Sequence, residues 1–228
     1  MPRKLPHKNR ALRAAKTAAA APGHVRIGRI MANIDLILAS TSRYRRELLE
    51  RLGVSFRTMS SEVDETPLPG ETPVELARRL ARAKAQAVAA ANPGAVVIGS
   101  DQVCDLDGAA LGKPGSFEKS VEQLLRMQGK RVIFHTAVCV VRADGSIEET
   151  VSDTILTMRA LSRETIEDYV RREEPYDCAG SAKIERLGIA LMESVASDDP
   201  TSLIGLPLMR VTGMLTRAGV TVIKGLSA

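Results

Sequence analysis

The acid with the most chemical potential is Asp101, which closes the apolar run of AVVIGSDQV (95–103). A carboxylate where a buried strand ends can hold a divalent cation or serve as general base for water, and it can equally cap the next turn. Glu62, Asp64 and Glu65 form an acid-rich loop before Thr66-Pro67 that could supply a further Mg²⁺ ligand or be merely solvated. In Ser40-Thr41-Ser42-Arg43-Tyr44-Arg45-Arg46, hydroxyls and free N–H groups at a helix start meet guanidinium groups, a combination suited to phosphate. A Ser cap with solvated Arg in the first turns accounts for the same string. Lys84, among Ala and apolar positions, and Lys113, in Gly112-Lys113-Pro114, each read alone as surface lysines. Together the acids, the two lysines and the Arg-bearing helix start are the components of metal-assisted phosphoryl hydrolysis.

The spacing of apolar residues predicts the elements that must hold these groups. IDLILAS (34–40) has the continuous apolar character of a buried strand, followed by a helix over about Arg43–Leu52 that Gly53 closes. VSFRTMS (54–60) is strand-like. Thr72-Pro73-Val74-Glu75 is a capping box with Pro at the first helical position, opening a helix to about Ala91 that Asn92-Pro93-Gly94 stops. A second buried strand spans 95–103, and Asp107-Gly108 marks a turn between short extended pieces. A helix near Phe117–Met127 precedes RVIFHTAVCVV (131–141), joined through Asp144-Gly145 to IEETVSDTILTMRA (147–160) as a long hairpin. Ser162 caps a helix to about Arg172, and a last helix runs near Leu203–Arg217, with a kink or late start at Pro207. Strands alternating with helices, plus a long hairpin, give an α/β fold with a mixed twisted sheet and flanking helices.

Composition removes several classes of function. With 44% hydrophobic and 26% charged residues the chain is globular rather than disordered or coiled-coil. No Trp, three Phe and three Tyr leave too few aromatics for stacking single-stranded nucleic acid. Three scattered Cys without a CxxC pair argue against a disulfide framework or a zinc site, and a reducing, cytoplasmic compartment is expected. No apolar run is long enough to span a membrane. Eight of the 32 basic residues fall in the first 30 positions, which hold no acid; the rest carries 24 basic against 27 acidic residues, a net charge of −3. Residues 1–30 therefore read as a basic extension outside the fold, with a targeting or nucleic-acid-binding arm as the other reading, and residues 31–228 as the domain. His135 lies inside a hairpin strand and receives no catalytic role.

LILASTSRYRRELLERLG, EVDET, ARAKAQAV, VIGSDQVCDLDG, LGKP, YDCAGSAKIERLGI and DDPTSLIGLPL resemble, in order and spacing, the Maf-like nucleotide pyrophosphatases over about residues 34–220. GSDQV and CAGS are similar to the branch that hydrolyses 7-methyl-GTP; the dTTP/UTP branch usually reads GADT and later GxQG. The resemblance implies two lobes around a deep cleft and hydrolysis of a nucleoside triphosphate to monophosphate and diphosphate with Mg²⁺ or Mn²⁺. By the same resemblance Asp101 matches the proton acceptor, and Tyr44, Gln102 and Glu185 match positions of base selection. Ser40, Arg45, Arg46, Glu65, Lys84 and Lys113 match phosphate and metal positions, with Glu65 and Asp101 toward the metal. The partner is the nucleotide, with no membrane and no nucleic acid; a homodimer is left open. The chain departs from the family pattern at Arg43, where Pro is usual, and at Ala182, Ile184 and Arg186, where Phe, Ser and Gly are usual. The change at 186 is expected to alter the loop that places Glu185.

Overall fold

The computed structural model describes residues 34–227, and the basic extension expected over residues 1–30 lies outside them. The first apolar run forms β1 (Leu36–Leu38), and Ser42 caps α1 (Arg43–Glu50) by accepting from the Arg45 N–H. The strand expected over 54–60 reduces to β2 (Arg57–Thr58), both residues of which are exposed. The capping box is present at the start of α2 (Pro73–Ala91): Thr72 accepts from the Glu75 N–H, and the Glu75 carboxylate accepts from the Thr72 N–H at 2.9 Å. β3 (Val96–Leu106) turns through Asp107-Gly108 into β4 (Ala109–Leu111). α3 (Phe117–Met127) leads to the hairpin of β5 (Arg131–Val141) and β6 (Ile147–Met158), then α4 (Arg163–Glu173). β7 (Met192–Ser197) follows, and α5 (Leu208–Arg217) starts only after Pro207; Ser202–Ile204 is a separate single turn.

The seven strands form one mixed sheet in the order β2-β1-β3-β5-β6-β7, with β4 on the far end of β3. β1 is parallel to β2 and β3, and the other pairings are antiparallel. The helices fall into two groups. Over the near half of the sheet, α2 packs Leu80, Ala81 and Ala85 against Ile37 and Val97, while α1 and α5 cover the opposite face through Leu48, Val211 and Leu215. Over the far half, Leu124 of α3 and Ile166 and Val170 of α4 pack on Cys104, Phe134 and Leu156. β3 runs through both halves, and Asp101 and Gln102 sit at the border, between Ile98 in one core and Cys104 in the other.

α2 approaches β3 closely because Gly99 has no side chain. A Cβ there would run into the Ala81 carbonyl and, at 2.6 Å, the Ala85 nitrogen. Neither backbone group can swing aside as a side chain can. Gly99→Ala is therefore expected to destabilise the fold by about 1–3 kcal/mol, the usual cost of overpacking, and to push α2 away from the sheet. Urea denaturation measures the first effect; the second should also appear as lost activity, since Lys84 lies between Ala81 and Ala85.

Candidate active site

Asp101 was expected at a strand end. It lies instead in the middle of β3, because the ladder with β5 continues from Val97 to Asp105. Alternation along the strand then sends Asp101 toward α2, and Ser100 and Gln102 toward the opposite face. Lys84 meets Asp101 from α2: its Nζ donates to Asp101 Oδ1 at 2.7 Å and lies 2.5 Å from Glu65 Oε1. The Lys84 side chain is 8% exposed, that of Asp101 11% and that of Glu65 59%, so the cluster is closed at the sheet and open at the loop. The surface lysine of the sequence is thus a buried cation between two carboxylates. Burial pushes the Glu65 carboxyl up, but Lys84, Lys113 and Arg45 outweigh it and hold the group below the usual carboxylate range.

Arg45 approaches from α1. Its Nε donates to the Gly205 carbonyl at 2.9 Å, its Nη1 reaches Ser40 Oγ at 3.5 Å, and Ser40 Oγ also accepts from the Ser42 N–H. Burial draws the guanidinium below its ordinary value, opposed by the Asp101 and Glu65 carboxylates. Lys113 is exposed beside Glu65, and its field acts on that carboxyl. Ser40, Arg45, Glu65, Lys84, Asp101 and Lys113 are thus drawn to one region. Arg46 is not: it is exposed and lies 3.7 Å from Glu50, one turn along α1.

Gln102 does other work. Its Nε2 lies 2.9 Å from the Thr136 hydroxyl and the Ser202 carbonyl and 3.0 Å from the Leu203 carbonyl. The Ser100 hydroxyl lies 3.0 Å from the Gly205 carbonyl that Arg45 also binds. The short segment 202–205 is therefore pinned to β3 at both ends. Leu203 and Ile204 in turn line a depression of about 300 Å³, together with Ile184, Glu185, Ile189 and Val195. Glu185 is exposed at this depression, and the other five named residues are aliphatic.

Tyr44 does not line it. The Arg43 guanidinium sits over its ring at 4.7 Å, and its hydroxyl donates to Asp177 at 3.2 Å. Arg43, at the usual Pro position, thus covers one face of the Tyr44 ring. Lys183, missed in the sequence, is 5% exposed and lies 3.1 Å from the other Asp177 oxygen. Burial lowers the Lys183 pKa, yet Asp177 leaves it net raised. The only sequence signal was one lysine inside the otherwise apolar SAKI. Arg186 has φ −133° with ψ −140°, which is neither left-handed nor extended β backbone, so the turn that carries Glu185 leaves regular geometry at the position where glycine is usual.

The three cysteines are free, and burial pushes the Cys139 and Cys178 thiols up to about 12, which leaves them unreactive at neutral pH. His135 bonds Asp153 at 2.7 Å and Asp105 at 3.3 Å and ties β5 to its neighbours. No helix among the described residues is long and apolar enough to cross a membrane.

A mixed sheet bearing a carboxylate pair, a buried lysine and a half-buried arginine between two helical groups defines an α/β protein with a site of mixed charge suited to an anionic ligand. The chain belongs to the Maf-like protein family, whose pattern it matches over residues 35–218. It is 58% identical over 186 residues, 81% of this chain and 85% of the relative, to a 7-methyl-GTP pyrophosphatase of Polaromonas sp. strain JS666. It is 57% identical over 191 residues, 83% and 95% of the two chains, to a 7-methyl-GTP pyrophosphatase of Bordetella pertussis strain Tohama I. A HAM1 protein of solved structure from Coxiella burnetii aligns with a TM-score of 0.49 at 16% identity, over 81% of this chain and 99% of that one, a likeness too distant to add to the fold or function.

Proposed function

We propose that this protein hydrolyses 7-methyl-GTP between its α and β phosphorus atoms, releasing the nucleoside monophosphate and diphosphate. The observation that carries the reading is the buried Lys84 held between Asp101 and Glu65. Pure binding of an anion gains nothing from carboxylates beside it, whereas activating a water next to phosphate requires one. The names of the relatives supply the substrate.

The segment 202–205 suggests how the nucleotide lies. Gly205 at one end meets Arg45, so we assign the phosphates to that end with Lys84 and Lys113, and the base to the depression that Leu203, Ile204 and Glu185 line. Asp101, with Oδ1 fixed by Lys84, takes the proton of the attacking water on its other oxygen. As the new bond to the α-phosphorus forms, the bond to the bridging oxygen breaks and the diphosphate leaves with the electron pair. Arg45, Lys84 and Lys113 stabilise the charge that collects on it. Lys84 already engages one oxygen of each carboxylate, and no group of three ligating side chains stands among the described residues, so Mg²⁺ or Mn²⁺ would be held only by the remaining oxygens of Glu65 and Asp101. When bound, the ion would neutralise phosphate charge and acidify water. In the depression the Glu185 carboxylate favours the positive charge of a 7-methylated guanine. Three free thiols suit a reducing, cytoplasmic setting.

Diphosphate release from 7-methyl-GTP, GTP, dTTP and UTP, each with and without Mg²⁺, tests the reading. The highest kcat/KM is expected for 7-methyl-GTP with the metal present. Preference for dTTP or UTP would move the protein to the other branch, and nucleotide binding without diphosphate release would make it a regulator instead.

A further inference from the structure

Glu185 stands on a turn held by buried groups on both sides. Before it, the Lys183 carbonyl accepts from the Arg186 N–H at 3.0 Å and the Gly188 N–H at 2.9 Å. A Cβ at residue 188 would lie 2.6 Å from that carbonyl oxygen, so glycine alone allows the turn to close. After it stands Glu173, the last residue of α4, with a side chain only 4% exposed. One of its oxygens accepts from the Leu187 N–H at 3.3 Å; the other, buried and without a hydrogen bond, lies 3.1 Å from Arg186 Nε.

A carboxylate at this place is costly. It has lost most of its water and sits at the negative end of a helix, so it persists only where a partner compensates it. The partners here are the two residues that follow Glu185, one held through charge and the other through its backbone. Arg186 is itself 62% exposed, so it gains little by packing and its defined contact is this ion pair. The hydrolysis proposed above uses neither residue.

We propose that Glu173 and Arg186 are a positioning pair that aims the Glu185 carboxylate and so sets how strongly the pocket favours a cationic over a neutral base. This rests on the reading that Glu185 meets the base. The test is the ratio of kcat/KM for 7-methyl-GTP to that for GTP, in the wild type and in Glu185→Gln, Arg186→Gln, Arg186→Lys and Glu173→Gln. Glu185→Gln should lower the ratio by about tenfold, and Arg186→Gln by about three- to fivefold, chiefly through KM for 7-methyl-GTP. Arg186→Lys should recover most of the loss. Arg186 is exposed, so its variants fold and decide the matter even where Glu173→Gln does not. If Glu185→Gln lowers the ratio while Arg186→Gln and Glu173→Gln leave it unchanged, or reduce both substrates equally, the positioning role is overturned and the base reading stands. An unchanged ratio in Glu185→Gln overturns both.

Discussion

Replacing Asp101 by Asn is expected to reduce kcat by about 10²–10⁴-fold, the range for loss of a general base, while nucleotide affinity stays within a small factor. Asn preserves the shape of the side chain, and its amide oxygen can still accept from Lys84 at the place where Asp101 Oδ1 does, 2.7 Å from Nζ. What disappears is the negative charge and the ability to take a proton. Because Arg45 and Lys113 are untouched, the phosphate-binding charge remains and KM should move little. Steady-state kinetics on 7-methyl-GTP, with calorimetric nucleotide binding on the same sample, separates the two effects. Turnover within about threefold of wild type would remove Asp101 from the mechanism.

The second large effect is on stability. Lys84→Ala is expected to lower the unfolding free energy by about 3–5 kcal/mol, because it leaves the mostly buried Asp101 carboxylate without its counter-charge. It should also abolish turnover, since phosphate charge then faces an uncompensated acid. Glu65 contributes less to the stability loss, being more than half exposed and free to turn to solvent. The charge argument has its own control. Lys84→Met combined with Asp101→Asn removes both charges at similar volume and should recover much of the stability lost by Lys84→Met alone, with no return of activity. Additive losses in urea denaturation would show that the pair is packed rather than electrostatically coupled.

The parts that could be read from the sequence are those with local causes. Ser42, the Thr72–Glu75 box and Ser162 begin helices where their side chains accept N–H groups, and Asp144-Gly145 turns the long hairpin. Features set by distant residues could not be read this way. β7 was missed because five of its six residues are exposed, so it has no alternation, and only pairing with β6 makes it a strand. The late start of α5 was legible at Pro207, but its partner was not: the Asp199 carboxylate accepts from the Met209 N–H across ten positions. Nothing near Lys84 announces its burial; the close approach of α2 at Gly99 decides it. The family resemblance grouped Arg45, Glu65 and Lys84, which lie near one another in the structure, but it could not foresee that Gln102 brackets segment 202–205 or that Arg43 covers the Tyr44 ring.

The pinning of segment 202–205 has a temporal consequence. Arg45 and Gly205 are 160 positions apart, and Ser100 and Gly205 are 105 apart, so these contacts close some of the longest loops in the chain. Long loops carry the greatest closure entropy and are formed late. During synthesis, β1, α1, α2 and β3 emerge from the ribosome well before the carbonyl that orients Arg45 exists. A growing chain can therefore build much of its hydrophobic framework while its phosphate grip is still unassembled. Catalytic competence arrives only once segment 202–205 has been made, and a product truncated before it would be structured in part yet inert toward the nucleotide pool.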